Sequence, residues 1–261
     1  MVTVYGYKQL MINELNSIDN NTNNFYNYKG LNFLSKMNRK NRNLVIIFHG
    51  SIPEGPNKIF FRGYDYKIHN TNIVCIADYL LTNCYNYIIN WTLSSKKYDV
   101  EYIYEELFKY LINQHRYDKI IFTGTSAGGF PSIKFACKFN CIALVSNSQL
   151  YLEKHWSFTT FKNIVEKNGD KLLYKPCEIE TIIDKYRPKQ VIIYNNKNDS
   201  TYKLHLMPLV KYLNYTKQKH LFKIHTFSFD GIIPSGSNHH HIQFPCHAKH
   251  KVILEDILRK N

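Results

Sequence analysis

A serine hydroxyl is a weak nucleophile at neutral pH. It becomes a catalyst where the chain bends sharply enough to present it and a base stands ready to take its proton. The stretch Lys119-Ile-Ile-Phe-Thr-Gly-Thr-Ser-Ala-Gly-Gly129 has the form such a bend requires. An apolar strand-like run leads into G-T-S-A-G, and an apolar helix-like segment follows. A serine on a strained strand-to-helix turn needs small neighbours, and Gly124 and Gly128 flank Ser126 two residues to either side. With 11 glycines in 261 residues, roughly 0.03 such matches are expected from composition alone. Ser126 is therefore the candidate nucleophile.

Its partners are expected later in the chain, in the order Ser, then Asp or Glu, then His. Asp199 follows the apolar run Gln190–Tyr194 by a short polar loop, where the C-terminal end of a strand would deliver it. A cap on the helix beginning near Tyr202 is the plainer role for the same residue. Asp230, after the next strand-like run, is the second candidate acid. The base is sought in S-G-S-N-H-H-H-I, and His240 is chosen from His239, His240 and His241. Three consecutive histidines suit no common zinc spacing, so no metal is expected there. Backbone amides of Ala127 and Ser51 are expected to form the oxyanion hole. His49 is expected to shape the loop it opens, and Asp78 to act as a cap or loop residue.

These residues need a scaffold that brings strand ends to one edge. Asn43–Phe48, Asn72–Ala77, Lys119–Phe122, Cys141–Val145, Gln190–Tyr194 and Leu221–Phe229 are continuous apolar runs that read as buried strands. Val100–His115, Pro131–Phe139, Leu204–Leu213 and His247–Arg259 read as helices between or after them. Their alternation predicts an α/β chain with a mainly parallel sheet covered on both faces. The Asn-rich stretch Asn16–Asn27 reads as a loop. Tyr151–Arg187 breaks the rhythm, and 151–187 is a candidate helical cap within one α/β domain spanning 1–261.

The formal charge is +14. A basic surface favours an anionic glycan, a phosphate-bearing acyl donor or peripheral contact with an anionic membrane face. The lysines are scattered and no nucleic-acid motif occurs, so no nucleic acid partner is expected. No apolar run approaches ~20 residues, and the N-terminus lacks the form of a secretory signal. The six cysteines lack zinc or C-x-x-C spacing, with Cys137 and Cys141 expected as core thiols. A reduced, cytoplasmic protein is the expectation.

The chain resembles the α/β-hydrolase superfamily. Within it, G-T-S-A-G-G-F around Ser126, V-S-N-S-Q at Val145–Gln149, N-K-N-D-S at Asn196–Ser200 and S-G-S-N-H-H-H before the last helix resemble capsule O-acetyltransferases of the meningococcal serogroup A type. The resemblance implies an α/β-hydrolase fold, with Ser126 as nucleophile, Asp199 as acid and a histidine of the 239–241 run as base; counting back from the last helix favours His240. Asn238 and the extra histidines depart from the Gly-Gly-His usual there. Three functions fit. The first is acyl transfer through an acyl-enzyme, with acetyl-CoA as donor, a surface polysaccharide as acceptor and no bound cofactor. The second is an esterase or deacetylase using the same residues. The third is a non-enzymatic accessory of glycan or adhesin export.

Overall fold

A computed structural model describes residues 10–11, 23–52, 59–228 and 247–259. Every residue of β4 (Asn43–Phe48) and of β5 (Thr71–Ile76) is buried, which is the pattern of strands covered on both sides. Alternate residues then serve opposite faces. Leu44, Ile46 and Phe48 join one apolar cluster, while Val45 and Ile47 join the other.

The remaining strands are β1 (Leu10–Met11), β2 (Asn23–Tyr28), β3 (Leu31–Lys36), β6 (Lys119–Thr125), β7 (Ile142–Ser146), β8 (Gln190–Asn196) and β9 (Phe222–Phe227). They form one sheet in the order β1-β2-β3-β5-β4-β6-β7-β8-β9. From β5 across to β9 every pairing is parallel, and β3 runs antiparallel to both β2 and β5. The chain thus lays β5 on one side of β4 and β6 on the other. The order reverses at β4, and in open α/β sheets ligands bind beyond the C-terminal strand ends at such a point.

The helices are α1 (Tyr79–Asn83), α2 (Glu101–Asn113), α3 (Gly129–Lys138), α4 (Trp156–Lys167), α5 (Glu178–Lys185), α6 (Met207–Tyr215) and α7 (His247–Arg259). Leu107 and Phe108 of α2, Ile133 and Phe135 of α3, and Ile179 and Ile183 of α5 pack into the cluster that contains Phe48. Leu254 of α7, with Phe61 and Tyr66, covers the other face. Buried Lys134 on α3 pairs with Glu101 of α2 at 2.5 Å and Glu178 of α5 at 3.5 Å, tying three helices together. No helix among the described residues is long and apolar enough to cross a membrane.

The expected strands and helices are present with shifted ends. Two expectations are corrected. Asn23–Asn27, read as part of a loop, belongs to β2. Its asparagine side chains disguise a hairpin: Tyr28 pairs with Leu31 across a two-residue turn, and Lys29 and Gly30 both take positive φ (50° and 87°). Two left-handed residues are what a twisted hairpin turn requires. The predicted helix Leu204–Leu213 is also revised: it opens with a π-helical turn over Tyr202–Leu206 before α6. Residues 151–187 hold α4, α5 and a short 3₁₀ turn over Leu152–Lys154. Phe158 and Phe161 of α4 pack against Trp91 and Tyr87.

The five cysteines within the described residues are free thiols. Burial pushes Cys137 and Cys141 up to about 12, as expected for core thiols.

Candidate active site

β6 ends at Thr125, and Ser126 follows with φ +55°. A non-glycine residue in this left-handed region is strained, and such strain persists only where surrounding structure imposes it. The surroundings here are two backbone contacts that no side chain could share. A Cβ on Gly124 would lie 2.4 Å from the carbonyl oxygen of Gly128. A Cβ on Gly128 would lie 2.6 Å from that of His49, at the end of β4. The two glycines therefore let the chain fold back on itself and pack against the neighbouring strand. Ser126–Gly128 form a 3₁₀ turn that runs into α3.

Ala127, one expected oxyanion donor, and Gly50, which precedes the other at Ser51, are neighbours of Ser126. Ala127 is buried in the first turn after it, where amide hydrogens lack intrahelical partners. Gly50 lies alongside, since a Cβ there would sit 3.6 Å from Cβ of Ser126 and 3.2 Å from the carbonyl of Thr125. Ser51 follows it and is exposed.

His49 shapes this loop, as expected. Its Nδ1 is 2.5 Å from the Gly50 carbonyl, and its Nε2 accepts the Asp78 amide at 3.1 Å. The carbonyl can only accept, so the imidazole proton sits on Nδ1. Burial lowers its pKa and keeps the ring neutral. Asp78 is a buried cap. It accepts the Leu81 amide of α1 at 3.2 Å, the Asn90 side-chain amide at 2.8 Å and the Thr92 amide at 3.0 Å. Those bonds fix the turn at Trp91 and Thr92, where φ is +58° and +54°.

That turn leads to a residue sequence reasoning missed. Gln149 donates from Nε2 to the Ser126 hydroxyl at 2.9 Å, and its backbone amide donates to the Ser126 carbonyl at 3.0 Å. Its Oε1 accepts the Trp91 indole N–H at 2.7 Å. Gln149 ends the stretch V-S-N-S-Q, which begins in β7 and runs past its end. Asn147 there adopts φ +44° and accepts the Asn196 amide at 2.9 Å, which turns the chain back over the elbow. The signal was present as a polar Asn-Ser-Gln run directly after a buried strand. His155 is also close, with Nε2 3.0 Å from Nε2 of Gln149.

Asp199 is buried on the loop after β8, with β7 between β8 and β6 in the sheet. It stands at the same strand-end edge as Ser126. Its Oδ1 accepts the Thr201 amide at 2.8 Å and the Thr201 hydroxyl at 2.6 Å. That is the local capping geometry foreseen as its plainer role. The segment holding Asp230, His239, His240 and His241 lies outside the described residues, as does Cys246. β9, parallel to β8, ends at Phe227. Among the described residues, no three or more His, Cys, Asp or Glu side chains gather to hold a metal ion.

The capsule O-acetyltransferase of Neisseria meningitidis serogroup A has a similar structure, with a TM-score of 0.64 and 17% identity over 90% of this chain and 94% of that one. An S-formylglutathione hydrolase from Agrobacterium tumefaciens is similar at 0.55 and 11% identity, covering 90% and 91%. The fluorophosphonate-binding serine hydrolase F of Staphylococcus aureus is similar at 0.53 and 13% identity, covering 90% and 94%. The chain has the α/β-hydrolase fold. No family model matches it, and no curated protein matches it in sequence. Ser126 stands at a strand-to-helix turn, and Gly50 lies alongside it.

Proposed function

We propose that this chain is a serine-dependent acyltransferase that moves an acetyl group from acetyl-CoA to a surface polysaccharide. The observation that carries the reading is Ser126 itself, held at φ +55° between β6 and α3 at the sheet's switch point. The likeness to a capsule O-acetyltransferase, one structure of which is a histidine variant in complex with CoA, supports the donor and acceptor classes.

In this reading, Ser126 Oγ attacks the thioester carbonyl carbon and passes its proton to His240. The carbonyl π pair moves to oxygen, where the amides of Ala127 and Ser51 stabilise it. Collapse expels the CoA thiolate, which takes the proton back from His240. A sugar hydroxyl, deprotonated by the same histidine, then attacks the acyl carbonyl carbon; the bond to Ser126 Oγ breaks, the acetyl group stays on the sugar, and the histidine returns its proton to Oγ. Asp199 orients the imidazole.

Intact-mass spectrometry after mixing with acetyl-CoA or p-nitrophenyl acetate tests the reading. The expected result is an acetyl adduct from acetyl-CoA that survives in water and is absent from Ser126→Ala. Rapid turnover of the activated ester with no adduct from acetyl-CoA would make the protein an esterase on the same residues. An unaltered adduct in Ser126→Ala would sink the nucleophile assignment, and no reaction with either donor would favour the accessory role.

A further inference from the structure

We propose that Gln149 is a catalytic residue acting on the Ser126 oxygen, and that Trp91 is the positioning residue that aims it. This rests on Ser126 being the nucleophile.

The direction of the bond is fixed by chemistry. An indole N–H can only donate. The Trp91 contact at 2.7 Å therefore assigns the oxygen of the Gln149 amide to Trp91 and its nitrogen to Ser126. The amide nitrogen carries two hydrogens, and two acceptors stand in reach: Ser126 Oγ at 2.9 Å and His155 Nε2 at 3.0 Å. In the tautomer that accepts from Gln149 the His155 proton sits on Nδ1, and that tautomer forgoes the 3.2 Å bond from the Ser157 amide to Nδ1. Every polar atom of the buried Gln149 amide is thereby satisfied, whereas the flipped amide would set its own N–H against the indole N–H at 2.7 Å.

Ser126 Oγ thus accepts from Gln149, and its own hydrogen is left to point toward a base. As the base removes that proton, negative charge grows on Oγ and is greatest near the transition state for attack. The same charge reappears when Oγ leaves in the second half-reaction. A hydrogen bond to a charged acceptor is roughly twice as strong as one to a neutral acceptor. The Gln149 N–H therefore binds the transition state more tightly than the resting hydroxyl, which is the condition for accelerating the step. The donor is already in place and needs no reorganisation, because the main-chain bond from Gln149 to the Ser126 carbonyl fixes the two residues together. Trp91 sustains the arrangement from a turn with two consecutive left-handed non-glycine residues, pinned by Asp78. Strain of that kind held beside a reactive group marks a geometry the fold maintains for the site.

A fluorophosphonate probe reads the Ser126 oxygen without donor or acceptor chemistry. Oγ forms a bond to phosphorus, the P–F bond breaks, fluoride leaves with its electron pair, and the serine proton passes to the base. The rate constant for labelling is measured on the full chain by intact mass, beside the thermal midpoint. Gln149→Leu is expected to label about 100-fold more slowly than wild type, the order of loss seen when one preorganised oxyanion donor is removed. Trp91→Phe keeps the ring and loses only the indole donor, and is expected to lose roughly tenfold, because the freed amide is no longer held to one orientation. In the Gln149→Leu background, Trp91→Phe should cost nothing further. A merely structural tryptophan would give additive losses instead and overturn its assigned role. Should Gln149→Leu fail to fold, Gln149→Glu decides, since it is the same size but turns the donor into an acceptor that competes for the serine proton. Labelling of the folded Gln149 variant at the wild-type rate would overturn the proposal while leaving Ser126 as nucleophile. An unlabelled wild type would remove both.

Discussion

Gly128 carries a constraint as strict as any at the site. A methyl group there would meet two backbone oxygens, of His49 at 2.6 Å and Phe48 at 2.7 Å, and neither can rotate away as a side chain could. Gly128→Ala must push α3 off the end of β4, and the Ser126 turn moves with it. The expected cost is about 3 kcal/mol, the upper range for overpacking a close-packed interior, with loss of fluorophosphonate labelling. A urea melt unchanged from wild type would show that the elbow has slack the contacts deny. Ser126 and its flanking glycines were legible in the sequence because local sterics dictate them: the turn forbids larger neighbours whatever the rest of the chain does. Gln149 was not legible as a partner of Ser126. Its contact depends on β7 lying beside β6 and on Asn147 reversing the chain, and neither is a local property.

At the scale of elements, the loop around Ser95 and the end of α4 are clamped by one carboxylate. Asp170 accepts from the Ser95 hydroxyl at 2.5 Å, the Tyr85 hydroxyl at 2.7 Å and the amides of Lys171 and Lys97 at 2.7 and 3.0 Å. Burial alone would raise its pKa, but these donors outweigh it and hold the carboxyl down at about 2. A depressed carboxylate contributes stability that is present above its unfolded value near 4 and is lost as pH falls toward 2. Asp170→Asn keeps the shape and weakens the acceptor, and is expected to lower the thermal midpoint by roughly 5 °C at neutral pH. The difference from wild type should shrink between about pH 4 and pH 2. A constant difference across that window would mean the carboxylate charge is not what holds the clamp. The buried strands of the sheet were legible because continuous apolar runs have few alternatives in a chain of this size. The β2–β3 hairpin was not. Asparagines on β2 bond to neighbouring backbone and side chains, as Asn27 does with Asn32 at 2.8 Å and the Gly30 amide at 3.1 Å, so their polarity imitates a loop.

For the whole molecule, the sheet order brings the ends of β4, β6, β7 and β8 to one edge, so that His49, Ser126, Gln149 and Asp199 all follow strands ending there. Alternating strands and helices foretold a parallel sheet; they did not foretell which strands adjoin, because that depends on long-range packing. Charge also acts at this scale. The chain carries +14, and a groove of about 630 Å³ between α3, α5 and residues 171–175 is edged by Lys96, Lys134, Lys138, Lys171, Lys175 and Lys185. Lys134 and Lys138 are committed to Glu101, Glu105 and Glu178. The other four have no carboxylate partner among the described residues. Exposed charges of this kind attract an anion over a distance that salt shortens, from about 10 Å at 0.1 M to about 3 Å at 1 M. If the donor carries phosphates, its capture should weaken with salt while the chemistry after capture does not. The expected result is that kcat/KM for acetyl-CoA falls about tenfold between 0.05 and 0.5 M sodium chloride, on the scale of electrostatically steered association. Over the same range, kcat, and kcat/KM for the uncharged p-nitrophenyl acetate, should hold steady. A parallel fall for both donors would place the salt effect on the fold rather than on capture of the donor. A flat profile for acetyl-CoA would mean that the positive surface plays no part in bringing the donor to Ser126.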